Sequence, residues 1–473
     1  MARIAVIGAG MGAMATAARL AVAGHQVTVY ERGSTYGGSL GRFEREGFAF
    51  DTGPGLLHLP AVYRDLFVKT GKRRLEDCVD LVQVDPAVRH VLADGTAVIL
   101  PGTSRGGVAA ALDEAFGTGS GDRWAAVLNR ARDAWDATRR PLLEEPLRPD
   151  WQVLGRDPYP AVRGSGLLRR RPPTLADIAA RELGGRLGEL LAARVREYGL
   201  DPATAPASAT VLPYMEQTFG SWYVRGGMRV LATALYERCR ERRVEFVFDA
   251  PVREVLAREG RAAGVLLADG TEHTADHVVC GADPRQLAVP LPPDGVPVGA
   301  AAGATRSTLL LALRGARPAD TVHRTLVHSP GTQLTVLRPD DPAVRPDADH
   351  EAVTVSAVHA PAGPTTAAAP EPEALLDLAA RAVPGLRERL LWWEARTPAD
   401  IEAATGAAGG AVPAPSLAGA GGRLLHPANS TALPGLYLAG GWAHPGGGLA
   451  HAGMTGALVA GLIVEGSGFR GSQ

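Results

Sequence analysis

The residues that could do chemistry begin at the eighth position. Gly8-Ala9-Gly10-Met11-Gly12-Ala13 follows a short apolar run, Ala5-Val6-Ile7, and leads into an alanine-rich stretch to Ala23; after Gly24 a second run, Val27 to Tyr30, ends at Glu31. That order suits a dinucleotide. Gly8 permits the tight turn, Gly10 lets backbone approach a pyrophosphate, and the small Ala13 lets a helix lie close on its strand. Free N–H groups at the helix start favour negative charge, and Glu31 stands where it can hydrogen-bond a ribose hydroxyl. A second glycine group lies near the other end, Gly440-Gly441-Trp442-Ala443-His444-Pro445-Gly446-Gly447-Gly448, between a buried run Leu436 to Ala439 and a helix expected from about Ala452 to Ile463. The start of that helix would place N–H groups and a positive dipole against a ring that becomes anionic on reduction, as the pyrimidine edge of a flavin does.

The elements that must position these loops are strand, turn, helix and strand at the N-terminus, and strand, loop and helix at the C-terminus. Between them, Gly37-Gly38 follows soon after Glu31, which indicates backbone pressed against a ligand. Gly47-Phe48-Ala49-Phe50-Asp51-Thr52-Gly53-Pro54-Gly55 then alternates apolar residues into a rigid turn. Glycine turn, acid, Gly-Gly and Phe-Asp-Thr-Gly-Pro in this order resemble the FAD-dependent phytoene desaturase family, relatives of the amine oxidases. The C-terminal stretch is similar to that family's signature, a Leu-Tyr-Leu-x-Gly strand followed by His-Pro-Gly-Gly-Gly. One departure is that the family's arginine after the glycine pair is replaced by Ser39, for which Arg42 is the candidate substitute.

The resemblance implies an α/β fold, a Rossmann-like FAD-binding domain with an α+β substrate domain that has an antiparallel sheet and a helical insertion. It implies that FAD is held in the first loop by Gly8, Gly10, Met11, Gly12 and Ala13, then by Glu31 and Arg32, and by Gly37, Gly38 and Ser39. Further contacts are implied at Pro54, Gly55, Leu56 and Leu57, at Val252 and Ala282, and at Gly440, Gly441, Ala452, Gly453 and Met454. The FAD-binding domain is expected to be discontinuous, residues 1–100, 214–295 and 421–473, with the substrate domain formed by 101–213 and 296–420. Helical spacing marks Asp113 to Phe116, Trp124 to Trp135 and Leu175 to Tyr198, and a helix is expected from Met228 to Arg240. Strands are expected at Val244 to Phe248, Thr308 to Leu313, Thr325 to His328, Thr332 to Leu337 and Val353 to His359. Thr397 before Pro398 reads as a capped helix entrance. The tract Pro361 to Pro370 reads as a surface loop.

Composition narrows the partners. The 473 residues exceed one ordinary domain, and 49 basic against 50 acidic residues leave a formal charge of -1, so no global field attracts nucleic acid. Cys78, Cys239 and Cys280 are far apart and lack metal or redox spacing, so neither a disulfide framework nor a metal site is expected, and buried reduced thiols in a cytoplasmic protein are. The start of the sequence goes directly into a strand, which disfavours a secretory leader, and no apolar run approaches the ~18 residues of a spanning helix. Leu167-Leu168-Arg169-Arg170-Arg171 leaves peripheral membrane contact open, with a solvated loop as the alternative.

The implied reaction is desaturation of a small-molecule apolar substrate, an isoprenoid or polyene, with hydride passing to flavin N5 and oxygen or a quinone taking the electrons. Glu216 is the candidate base, on the expectation that apolar surroundings raise its pKa; the alternative is an ion-paired carboxylate on the domain hinge. His444 is read as shaping the loop, and His451 as a candidate for the substrate side. Rival readings are an amine oxidase of the same fold, which the 5% aromatic content supplies poorly with ring-framing residues, a flavin-dependent reductase or isomerase acting on a polyene, and a lipid-binding protein resembling the GDP-dissociation inhibitors.

Overall fold

The computed structural model describes residues 1–161, 171–287, 303–359 and 370–471. The run Leu167 to Arg170 and the tract from Pro361 to Ala369 lie outside the described residues. Two large sheets organise the chain. The first is a five-stranded parallel sheet of β1 (Arg3–Ile7), β2 (Gln26–Tyr30), β3 (Glu245–Val247), β4 (His277–Cys280) and β5 (Leu436–Leu438), in the order β3-β2-β1-β4-β5. This is the order of a dinucleotide-binding sheet, in which the ligand crevice opens beyond the carboxyl ends of the strands. Beside β1 lies helix α1 (Met11–Val22), and α2 (Arg229–Glu241) and α3 (Leu449–Val464) complete that layer. Met14, Leu20, Val29, Leu231, Leu235 and Val459 are fully enclosed in one core there, which explains why the alanine-rich α1 needs no large residue on the sheet side.

The second sheet has seven strands in the order Leu390–Arg396, Thr305–Arg314, His350–His359, Thr332–Leu337, Arg324–Ser329, Val88–Val91 and Ala97–Leu100. Its neighbours are antiparallel except where Arg324–Ser329 runs parallel to Val88–Val91. Leu309, Leu311 and Leu313 alternate onto the face that packs against helix Pro372–Ala379. A helical layer made by Arg105–Phe116, Ser120–Arg139, Gly185–Arg196 and Val211–Phe219 surrounds a core that includes Trp124, Leu191 and Met215.

Two expected boundaries differ. The division at residue 100 falls after two strands, Val88–Val91 and Ala97–Leu100, that pair in the seven-stranded sheet. The division at 214 cuts helix Val211–Phe219, whose Leu212 and Met215 belong to the helical core. The capped entrance at Thr397 is present, with Asp400 N–H bonded to its hydroxyl and Asp400 returning a bond to the Thr397 N–H. Cys239 and Cys280 are buried and Cys78 partly so, all without disulfides. Among the described residues, no helix is long and apolar enough to cross a membrane.

Candidate active site

The two glycine loops meet. Gly8 turns with φ +87° and donates its N–H to Tyr30 O at 2.8 Å, which swings the chain from β1 over the end of β2. A Cβ on Gly12 would stand 2.7 Å from Gly440 Cα and 3.0 Å from Ala452 O, and one on Gly456 would stand 2.7 Å from the Ala15 carbonyl carbon. Helices α1 and α3 therefore pack backbone to backbone through small residues. Gly10 is different: a Cβ there would meet nothing within 4 Å. Neither α1 nor α3 has a side-chain cap or an acidic residue in its first turn, so both helix starts present free N–H groups and positive dipole ends, that of α1 beside open space.

Around this space the other expected residues are distributed as follows. Glu31 accepts the Ala9 N–H at 2.6 Å on one carboxylate oxygen and the Gly33 N–H at 2.8 Å on the other. Gly37 N–H bonds Ala9 O at 2.8 Å, and Gly38 lies directly over Gly10. Met11 and Ala13 are buried against the sheet, and Gly281 approaches Ala13 closely. Ala282 faces Gly8, and Val252 packs in the same small cluster as Ile7 and Tyr30. Gly55, after Pro54, lies against Leu337 of the seven-stranded sheet; beyond Leu56, Leu57 pairs with Trp222. Gly441 sits on Pro413.

Several expectations need correction. Helix α3 begins at Leu449, about three residues before the expected Ala452. The Ala452 N–H is engaged by Gly448 O at 2.9 Å, so the free donors are those of Leu449, Ala450 and His451. Gly453 and Met454 are turned to core, Gly453 against Val62 and Tyr63. The Arg32 guanidinium donates to Glu402 O at 3.2 Å and to Ala403 O, at the carboxyl end of helix Pro398–Thr405, where a cation complements the dipole. Arg42 is engaged by Glu44 and Gly226 O, both at 2.5 Å, and Ser39 is exposed.

Glu216 is not a base with a raised pKa. Its carboxylate contacts Arg324 Nη1 at 2.6 Å and Arg194 Nε at 2.7 Å. Burial alone would raise its pKa, but the two guanidiniums override that and hold it far below the carboxylate range. Glu197 joins the same cluster through Arg324, Arg194 and the Thr335 hydroxyl. The ion-paired alternative is what the structure contains.

His444 is fully buried with Nε2 at 3.0 Å from Glu145 O, a structural position. His451, on the first turn of α3, lines a narrow pocket with Trp135, Leu212, Met215 and Ser416. Burial, followed by the neighbouring charge of His426, pushes its pKa down to about 4. Among the described residues no group hydrogen-bonds to its ring, so a neutral imidazole faces a mostly apolar space.

Two residues that hold the site together escaped the sequence reading. Asp51 accepts the N–H groups of Met228 at 2.9 Å and Arg229 at 3.3 Å and so caps α2; burial pushes its pKa up to about 6. Arg229 donates to Tyr36 O, to Leu40 O at 3.1 Å and to the Thr35 hydroxyl at 2.6 Å, with its guanidinium 4.3 Å from the Tyr36 ring centre. It braces the Gly37-Gly38 turn from behind. Its place after Gly226-Gly227-Met228 was the available signal. Among the described residues no His, Cys, Asp or Glu group could hold a metal.

A family model for flavin containing amine oxidoreductases matches residues 14–326. A 4,4'-diapolycopene oxygenase of Methylomonas sp is 31% identical over 281 residues, 59% of this chain and 55% of its own length. A zeta-carotene-forming phytoene desaturase of Myxococcus xanthus is 32% identical over 282 residues, 59% of this chain and 53% of its own. The matched chain thus spans about half the length of these curated relatives. An oxidoreductase from Methanosarcina mazei superposes with a TM-score of 0.62 at 18% identity, covering 96% of this chain and 98% of that one, a likeness of fold.

Proposed function

From the premise that the chain belongs to the flavin containing amine oxidoreductase family, we propose that it is an FAD-dependent oxidoreductase that desaturates an apolar polyene or isoprenoid chain. The observation that carries the cofactor is the contrast between Gly12, whose missing side chain is filled by protein, and Gly10, whose missing side chain leaves open space beside the uncapped start of α1. That space fits a group with a pyrophosphate and an electron-poor ring. Gly8 to Ala13 and the Leu449 to His451 N–H groups would hold it, Glu31 would take the ribose, and Arg229 would keep the Gly37-Gly38 turn in place. The names of the relatives support the substrate class, and the mostly apolar lining of the pocket at His451 agrees with it.

When bound, the flavin supplies a hydride acceptor. The chain's own residues do the rest. Trp135, Leu212 and Met215 exclude water and hold the substrate chain. Loss of hydride leaves an allylic cation, which needs only a weak base, and the neutral ring of His451 would take the proton from the adjacent carbon. A pKa near 4 keeps that ring unprotonated across the neutral range.

The test is spectroscopic. Purified protein should carry or take up FAD, seen as flavin absorption, and anaerobic addition of a hydrogenated C30 or C40 polyene should bleach it while simple amines do not. A colourless protein that cannot be loaded with FAD defeats the cofactor reading. Bleaching by amines alone moves the function to amine oxidation.

A further inference from the structure

The face of the seven-stranded sheet turned away from helix Pro372–Ala379 carries two arginines that nothing so far uses. Thr308 pairs in register with Arg396 on the neighbouring strand, which makes Arg306, two residues back, the diagonal neighbour of Arg396 on the same face. Leu309, Leu311 and Leu313 take the opposite face; Glu197 and Tyr198 act on Arg306, and Asp400 acts with Arg396. Each has its Nε enclosed with no hydrogen-bond partner, and among the described residues neither guanidinium forms an ion pair.

The negative charge nearby is already balanced. Glu197 and Glu216 are matched by Arg194 and Arg324, two carboxylates against two guanidiniums, and among the described residues neither carboxylate pairs with Arg306. Glu394 shares the face, opposite Leu310, and Asp400 attracts Arg396 from the neighbouring helix; neither carboxylate reaches ion-pair distance of either arginine. Burial lowers the Arg306 pKa, against the pull of Glu197 and Tyr198 and with the push of Arg194. A partly buried guanidinium without an ion pair is costly, and two on one face mark a place where an anion is expected. A guanidinium fork fits a carboxylate through two parallel bonds.

The position suits a substrate. Ala304, two residues before Arg306, bridges to Val412, and the next residue, Pro413, lies against Gly441 and Gly447 of the C-terminal glycine loop. Arg306 therefore stands one short step along the chain from that loop, with Arg396 beside it. We propose that Arg306 and Arg396 form a carboxylate-binding subsite and that the substrate is a long apolar chain bearing a carboxylate. The proposal rests on the polyene reading above.

The probes are retinoate and retinol, matched polyenes that differ in the head group, titrated calorimetrically into the flavin-loaded protein. Retinoate is expected to bind roughly tenfold or more tightly than retinol, and Arg306→Gln or Arg396→Gln to remove that preference while leaving retinol affinity unchanged. Arg306→Lys, which keeps the charge and loses the fork, should retain an intermediate preference and serves if the glutamine variants do not fold. Equal affinity of the wild type for both probes, or a preference that survives in folded glutamine variants, overturns the subsite and leaves the polyene reading standing. Binding of neither overturns both.

Discussion

At the scale of single residues, His451 and Glu216 show how burial decides a titratable group's role. Both were legible as candidates, yet neither their partners nor their pKa could be read from spacing, because these depend on residues far away in the chain. Arg324 is 108 residues from Glu216, and a periodic pattern carries no trace of such a contact. Among the described residues nothing hydrogen-bonds the His451 ring, which lies in a mostly apolar pocket with a pKa near 4 from burial. The folded-state value lies below the ordinary one, so between about pH 4 and 6.5 folding favours the neutral ring and stability rises with pH through that window. For the reaction, a group that must be neutral to accept a proton is fully available above about pH 5. His451→Gln is therefore expected to slow anaerobic flavin bleaching by substrate by roughly 10²-fold or more, with FAD affinity unchanged. In the wild type the bleaching rate should be flat from pH 6 to 9 and fall only toward pH 4. Stopped-flow spectroscopy reads both, and a rate that declines steadily from pH 7.5 to 6 would assign the step to a different group.

At the scale of elements, the N-terminal strand, turn and helix were legible because each local signal agrees: an apolar run, glycines at the turn, small residues along α1 and an acid after the second strand. The start of α3 was not. Its N-cap is Gly448 with φ +99° and no side-chain cap, so the residues that usually mark a helix start are missing and the glycine run hides it. Nor could the strands Val88–Val91 and Ala97–Leu100 be assigned to their sheet, since the first pairs with Arg324–Ser329, more than 200 residues further on. What the structure adds is that two glycines of one motif do different work. A methyl on Gly12 would collide with the backbone of Gly440, which cannot move without parting α1 from α3, whereas a methyl on Gly10 enters open space. Gly12→Ala should lower the melting temperature by several degrees and weaken FAD binding together, a cost of about 1–3 kcal/mol for overpacking. Gly10→Ala should leave the cofactor-free protein as stable as the wild type and weaken FAD binding alone. Differential scanning calorimetry with and without FAD separates the two; equal loss of stability in both variants would mean that the open space at Gly10 is not where the ligand lies.

At the scale of the whole molecule, the joint between the helical layer and the seven-stranded sheet combines an apolar core that takes in Val88, Leu100 and Leu326 with a buried cluster of charges. Arg194 and Glu197 lie at the end of helix Gly185–Arg196, Glu216 on helix Val211–Phe219, and Arg324 at the start of a sheet strand, and the four close into a neutral cluster that is almost wholly buried. Each charge is out of water, so the arrangement is stable only while all four are present. Glu216→Gln keeps the shape and removes one anion, leaving Arg324 and Arg194 to share Glu197. That is expected to cost about 3–5 kcal/mol. If Glu216 instead served the reaction as a base, the variant would lose turnover and keep its stability. Arg324→Gln alone should be comparably damaging, because Glu216 and Glu197 would then share Arg194. The double variant, Glu216→Gln with Arg324→Gln, leaves Arg194 and Glu197 as one neutral pair, so it should recover most of the loss rather than add to it. Urea unfolding of the four proteins measures this coupling directly. Strictly additive losses would show that the cluster is four separate contacts, and that the two layers are joined by packing alone.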